Sequence, residues 1–204
     1  MREPDNIRQV LQHRPDFLGF IFYKKSPRFA GNYVEKIREV HIPQQVLKVG
    51  VFVNENIGNI CQTHETLALD LVQLHGDETV RLCKSLRSRG LKVIKVFSVG
   101  PDFDFKIMKP YVDHVNYFLF DTKGVFYGGN ARPFDWKLID NYPYEIPFFL
   151  GGGIGIENII EIRGIKSPFL YAVDVNSKLE SAPGHKDPEK LGSFRKKFDK
   201  IYDY

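Results

Sequence analysis

Cysteine, long apolar runs and a strong excess of one charge are all lacking from this sequence, and each absence excludes a class of protein. Two cysteines, Cys61 and Cys83, cannot form a disulfide framework. Neither has a partner at metal-ligand spacing, since His64 follows Cys61 with no second pair, so no metal centre is expected and a reducing cytoplasm suits the chain. No stretch approaches the roughly 20 apolar residues of a membrane helix, and the opening MREPDNIRQVLQHRPD has no apolar signal core. The chain is expected to be soluble, with no membrane partner. The 29 basic and 25 acidic residues leave a net charge of only +4, with one local cluster at Arg195–Lys200. That cluster reads as a solvated helix face, and no nucleic-acid partner is expected. No linker interrupts the sequence, so residues 1–204 read as one domain, and 43% hydrophobic content is ample for a core.

What is present is a regular alternation. Glu3–Arg14 reads as an opening helix, with Pro4 and Asp5 at its start and Ile7, Val10 and Leu11 at helical spacing. Apolar runs of strand length follow at Phe17–Tyr23, Val46–Val53, Leu69–Leu74, Lys92–Phe97, Val115–Phe120, Pro147–Leu150 and Phe169–Val175. Between and after them, helical patterns fall at Val34–Val40, Ile57–Thr66, Glu78–Arg87, Phe103–Met108, from Trp136, at Ile156–Ile162 and at Pro188–Phe198.

Strands apolar on both faces that alternate with amphipathic helices imply a parallel sheet covered by helices. An open doubly wound sheet would normally place a glycine-rich phosphate loop after its first strand, whereas the glycine cluster here, Gly151–Gly153, comes late. In a (β/α)₈ TIM barrel the loops after the last two strands hold phosphate, which is where GGGIG and DVNSK fall. The expected fold is therefore a (β/α)₈ barrel, and because the pattern opens on a helix its first strand is expected to be missing.

The candidate site residues sit at strand ends. Asp121 closes the run Val115–Phe120 and precedes a loop containing Tyr127, Gly128 and Gly129, which suits a lid. Gln73 and His75, two apart, share a side of their strand. Arg28, in the turn KKSPRF, offers a planar bidentate donor to a carboxylate. Gly152 and Gly153 let the backbone approach a phosphate, and Asp174, Asn176 and Ser177 end the next strand beside them. Each has a plainer explanation, as a turn residue, a surface charge or a tight bend. Together they suggest a small phosphorylated substrate bearing a carboxylate.

The segments GFIFYKKSPRF, VGVFVNE, VQLHGDE, LFDTKG with YGG and FDW, FLGGGI with EN, and AVDVNSKLE with PGHKD occur in order, and from the start to about Lys190 the chain closely resembles the phosphoribosylanthranilate isomerases of tryptophan biosynthesis. The resemblance implies an Amadori rearrangement of N-(5-phosphoribosyl)anthranilate with no metal or organic cofactor. It also implies that Asp121 is the general acid and that Arg28 contacts the anthranilate carboxylate. The phosphate would lie against Gly152–Gly153 and Asn176–Ser177, with Asp174 near the ring. The enzyme would be a monomer or homodimer. The family's general base is a cysteine in a Lys-Ile/Val-Cys-Gly strand that would precede Met1. That motif does not occur in this sequence, and Cys61 and Cys83 are expected on outer helices. The expectations are an N-terminally truncated chain with doubtful activity, or, as alternatives, a phosphoribosyl-ligand binding protein and a different sugar-phosphate barrel isomerase.

Overall fold

The structure is a computed structural model that describes residues 1–122 and 134–202. Seven strands, β1 (Phe17–Ile21), β2 (Leu47–Phe52), β3 (Leu71–Leu74), β4 (Lys92–Val99), β5 (Tyr117–Thr122), β6 (Phe148–Leu150) and β7 (Leu170–Val173), form one sheet in chain order. Every neighbouring pair is parallel. A doubly wound sheet would reverse its order part-way; an unbroken order in which each strand pairs with the next is the wall of a barrel. Among the described strands β1 pairs only with β2 and β7 only with β6, and the amine of Met1 donates to Gly19 O on β1 at 3.3 Å.

Side-chain alternation divides the sheet into two apolar layers. Val49, Val51, Leu71, Ile94, Val96, Leu119 and Phe149 face inward as one cluster, joined at its base by Phe17, Tyr117 and Ala172. Phe17 meets Phe149 edge-on at 5.1 Å between ring centres. Phe20, Phe52, Phe118, Phe120 and Phe148 point the other way, into the layer beneath the helices. There Phe120, Tyr142 and Phe148 meet edge to face at 5.0 to 5.4 Å, the geometry aromatic quadrupoles favour.

The helices begin where the local chemistry allows. α1 (Pro4–Leu11) has proline in its first turn; α2 spans Val34–Arg38. α3 (Ile57–Leu67) is capped by Asn56, which accepts from Asn59 N, and ends on Ala68 in the left-handed region. α4 (Val80–Arg87) is capped by Thr79, and α5 is Pro188–Tyr202. After β4, β5 and β6 the expected α-helices are instead 3₁₀ segments, Phe105–His114, Trp136–Asn141 and Ile159–Gly164. In the first of these, Pro110 removes a donor that an α-helix would need. One element was not expected from the sequence: a hairpin of β8 (Glu180–Ala182) and β9 (His185–Lys186), turned by Gly184 at φ 84°.

Candidate active site

On the inward side of the sheet the candidate residues gather at its C-terminal end. On β5, Tyr117, Leu119 and Asp121 share one side, so the carboxylate stands directly above the apolar layer; Leu71 and Gln73 on β3 do the same. His75, just beyond β3, bridges the two strands. Its Nε2 lies 3.0 Å from Asp121 Oδ2 and its Nδ1 lies 3.3 Å from Gln73 Nε2. Because the Gln73 amide nitrogen can only donate, Nδ1 is the acceptor, and the ring proton sits on Nε2, pointing at Asp121. The other Asp121 oxygen accepts from Thr122 N at 2.8 Å.

Asp174 follows β7 on the same side, its amide donating to Leu150 O at 2.7 Å. It borders the cleft, yet surrounding protein desolvates its carboxyl and raises its pKa, helped by the Asp121 charge and opposed by His75 and Lys186. A carboxyl inclined to keep its proton thus stands near the Asp121–His75 pair, an arrangement able to hold and move a proton.

The glycine turn after β6 is built for close approach. Gly152 and Gly153 have φ of 85° and 76°, a region where a side chain is strained. A Cβ on Gly152 would collide with Thr122 and come within 3.0 Å of Asp121 Oδ1. Thr122 Oγ1 donates to Gly152 O at 3.2 Å, and Asn158 closes the turn by accepting from Gly155 N and donating to Gly153 O. In the next loop Ser177 opens a one-turn 3₁₀ segment, Ser177–Leu179. The Asn176 side-chain oxygen is held by Lys186 Nζ at 2.5 Å.

Arg28 is no loose surface charge. Its side chain is 15% exposed and forms a bidentate pair with Glu180, whose side chain is 4% exposed. Burial alone would raise the Glu180 carboxyl, but hydrogen bonds and charge from Arg28 and Lys186 outweigh it and hold the pKa below its ordinary value. Asn6, fully buried on α1, fixes the hairpin by donating to Lys186 O at 2.7 Å and accepting from Lys186 N at 2.8 Å.

A cleft of about 950 Å³ runs between β1 and β7, bordered by Gly19, Arg28, Gln73, His75, Asp174 and Asn176. Gly19 faces inward with nothing within 4 Å of where its Cβ would stand, which leaves the cleft open to the centre of the sheet. The candidates Asp121, Gln73, His75 and Asp174 are thus brought together, with Gly152 beside them and Arg28 on the cleft wall. Tyr127, Gly128 and Gly129 lie outside the described residues.

Cys83 is buried on α4 beneath the sheet, its thiol pushed up to about 11 by burial, and Cys61 lies on α3. Neither borders the cleft. Among the described residues no group of three or more His, Cys, Asp or Glu side chains could hold a metal ion, and no helix is long and apolar enough to cross a membrane.

Sequence reasoning missed Glu180, Lys186 and a second buried pair. Lys95 and Glu78 meet at 3.0 Å with side chains 3% and 1% exposed, and Lys95 also donates to Gly76 O at 2.7 Å. A lysine inside the apolar run KVIKVF was a signal that a buried acid would be needed.

The model of one protein family, described as N-(5'-phosphoribosyl)anthranilate (PRA) isomerase, matches residues 1–197. The isomerase of that name from Parabacteroides distasonis is 41% identical over 195 residues, covering 95% of this chain and 88% of that protein. The one from Phocaeicola vulgatus is 37% identical over 194 residues, covering 95% and 92%. The crystal structure of phosphoribosyl anthranilate isomerase from Thermotoga maritima superposes with a TM-score of 0.84 at 33% identity, covering 98% of this chain and 96% of that one. A further isomerase structure, in complex with reduced 1-(o-carboxyphenylamino)-1-deoxyribulose 5-phosphate, superposes with a TM-score of 0.82 at 31% identity, covering 98% and 95%.

Proposed function

This chain belongs to the phosphoribosylanthranilate isomerase family of tryptophan biosynthesis, and from that premise we propose how its own residues divide the work. The reaction opens the furanose ring of N-(5-phosphoribosyl)anthranilate. The ring oxygen gains a proton, its bond to C1 breaks, and the anilino nitrogen supplies the electron pair, leaving an iminium. Loss of the C2 proton gives an enolamine, which tautomerises to the 1-(carboxyphenylamino)-1-deoxyribulose 5-phosphate.

Asp121 is the general acid of the first step. His75 orients it through Nε2–H, Gln73 sets that tautomer, and Asp174 stands by as a neighbouring carboxyl whose pKa burial raises. The phosphate lies against the turn of Gly152 and Gly153, where positive φ and the lack of a side chain allow close approach, and the loop of Asn176 and Ser177. Arg28 meets the anthranilate carboxylate. The second step needs a base, and neither Cys61 nor Cys83 is in reach of the cleft to supply it. We take the chain as one domain acting on a small phosphorylated substrate in the cytoplasm, as a monomer or homodimer.

The observation that carries this reading is the bridge His75–Asp121, which joins two strands at the C-terminal end of the sheet beside Gly152. The test is turnover of substrate generated in situ, followed by loss of anthranilate-type fluorescence. It is run on the chain as it stands and on a version with a Lys-Val-Cys-Gly strand placed ahead of Met1. In whichever version turns over, Asp121→Asn is expected to lower kcat about 10²–10⁴-fold, the usual contribution of a positioned proton donor, with ligand affinity retained. A variant within about threefold of its parent would remove Asp121 from the acid role.

A further inference from the structure

Arg28 faces two ways. Its Nε donates to Glu180 Oε2 at 2.9 Å and its Nη2 to the same oxygen at 2.6 Å, with Nε also 3.1 Å from Oε1. One edge of the guanidinium is thereby committed to the protein. Among the described residues Nη1 makes no hydrogen bond, and Arg28 borders the cleft.

Glu180 is itself held from three directions. Lys186 Nζ donates to Oε1 at 2.9 Å, Gly184 N donates to Oε1 at 3.1 Å, and Lys190 Nζ donates to the Glu180 backbone oxygen at 2.9 Å. Lys186 is saturated: its remaining acceptors are Asn176 Oδ1 and Asn176 O. The buried Met1 amine and the Asp174 carboxyl also act on this cluster of Arg28, Lys186 and Glu180. With the three donors of the lysine engaged, Nη1 of Arg28 is left without a hydrogen-bond partner among the described residues.

We propose that Glu180 is a positioning residue: it locks Arg28 in the one orientation that presents the guanidinium to the substrate's ring carboxylate. This rests on the reading of Arg28 as the carboxylate contact. A long arginine side chain held by only one hydrogen bond samples many rotamers, whereas a bidentate pair removes that freedom before the ligand arrives. Glu180 also excludes the wrong outcome, since an Arg28 turned back on its own loop would leave the Glu180 carboxylate buried beside no guanidinium. Specificity for a carboxylate-bearing ring thus depends on a residue that never touches the ring.

The experiment measures affinity, so it does not depend on turnover. Two ligands are compared: reduced 1-(o-carboxyphenylamino)-1-deoxyribulose 5-phosphate and the same compound made from aniline, which lacks the ring carboxylate. The parent protein is expected to favour the carboxylated ligand by about tenfold to a hundredfold, the range for a hydrogen bond to a charged group. In Glu180→Gln that preference collapses to about twofold, while affinity for the aniline-derived ligand stays within about twofold of the parent, the limit of additivity for independent sites.

If Glu180→Gln weakens both ligands equally, Glu180 is only structural and the proposal is wrong. If the parent does not distinguish the ligands, the Arg28 reading fails first and takes the proposal with it. Should Glu180→Gln not fold, Glu180→Asp keeps the charge but retracts the carboxylate by one methylene. It is then expected to retain the parent's affinity for the aniline-derived ligand and lose part of the preference; an unchanged preference would overturn the proposal.

Discussion

Glu78 is the residue whose loss should be felt most widely. It accepts from Asn54 N at 2.9 Å, from Gly76 N at 2.9 and 3.0 Å, and from Lys95 Nζ at 3.0 Å, so it ties the loops after β2 and β3 to the middle of β4. Glu78→Ala would leave a buried ammonium without its counter-charge and two backbone N–H groups without an acceptor. Removing one partner of a buried pair costs about 3–5 kcal/mol, and at this chain length each kcal/mol lowers Tm by about 2–4 °C, so a drop of about 10 °C is expected. The loss should be smaller in Glu78→Gln combined with Lys95→Met, which removes both charges and keeps an acceptor for the amides. Urea titration of the single and combined variants, with m-values compared, measures the coupling. A loss under about 1 kcal/mol in Glu78→Ala, or a combined variant less stable than either single one, would refute the argument that the pair is a mutually dependent unit. Because Gly76 follows His75, the same substitution should also loosen the His75–Asp121 bridge and weaken binding of the reduced product.

Two further outcomes follow from the site. Gly152→Ala forces a side chain into the left-handed region and onto Thr122, and is expected to destabilise by about 2 kcal/mol or more and to weaken phosphate-bearing ligands. Gly164→Ala, with nothing within 4 Å of its Cβ position, is the control and should lie within about 0.5 kcal/mol of the parent. The Asp174 carboxyl has a folded-state pKa above its ordinary 3.8, so the folded chain binds that proton more tightly than the unfolded one. Stability therefore falls as pH rises from 3.8 through the raised value and stays lowered above it. Asp174→Asn removes that penalty and should stabilise near neutral pH but not below pH 3.8; equal gains at both would show that the charge is not the cause.

Which parts of this were legible in the sequence depends on the range of the interaction. Asp121 could be placed at a strand end because Val115–Phe120 is a β-branched and aromatic run of strand length that stops there. Gln73 and His75 could be placed on one side because side chains alternate along a strand, and both placements hold. The barrel followed from the alternation of apolar runs with helical patterns and from the late position of Gly151–Gly153, and the structure pairs each strand with the next in the chain. What is set by distant partners was hidden. Arg28 could be read as a bidentate donor or as a surface charge, but not as the partner of Glu180, which is 152 residues away. The short segments after β4, β5 and β6 have a helical apolar period, but period alone does not separate α from 3₁₀ winding when a proline or a single turn intervenes.

Asn6 adds a constraint of a different kind, one of order in time. During synthesis α1 emerges well before the hairpin, carrying an amide that the finished protein buries completely, while the backbone it pairs with lies 180 residues later. Throughout elongation that helix face has a polar gap in it, and docking there is penalised until Lys186 has been made. A nascent chain that stalls before the hairpin lacks β9 and α5, the elements against which α1 docks. Cellular proteases and chaperones that survey newly made chains would therefore meet an open, apolar surface on every incomplete copy, and lose it only when the last turn of the site is in place.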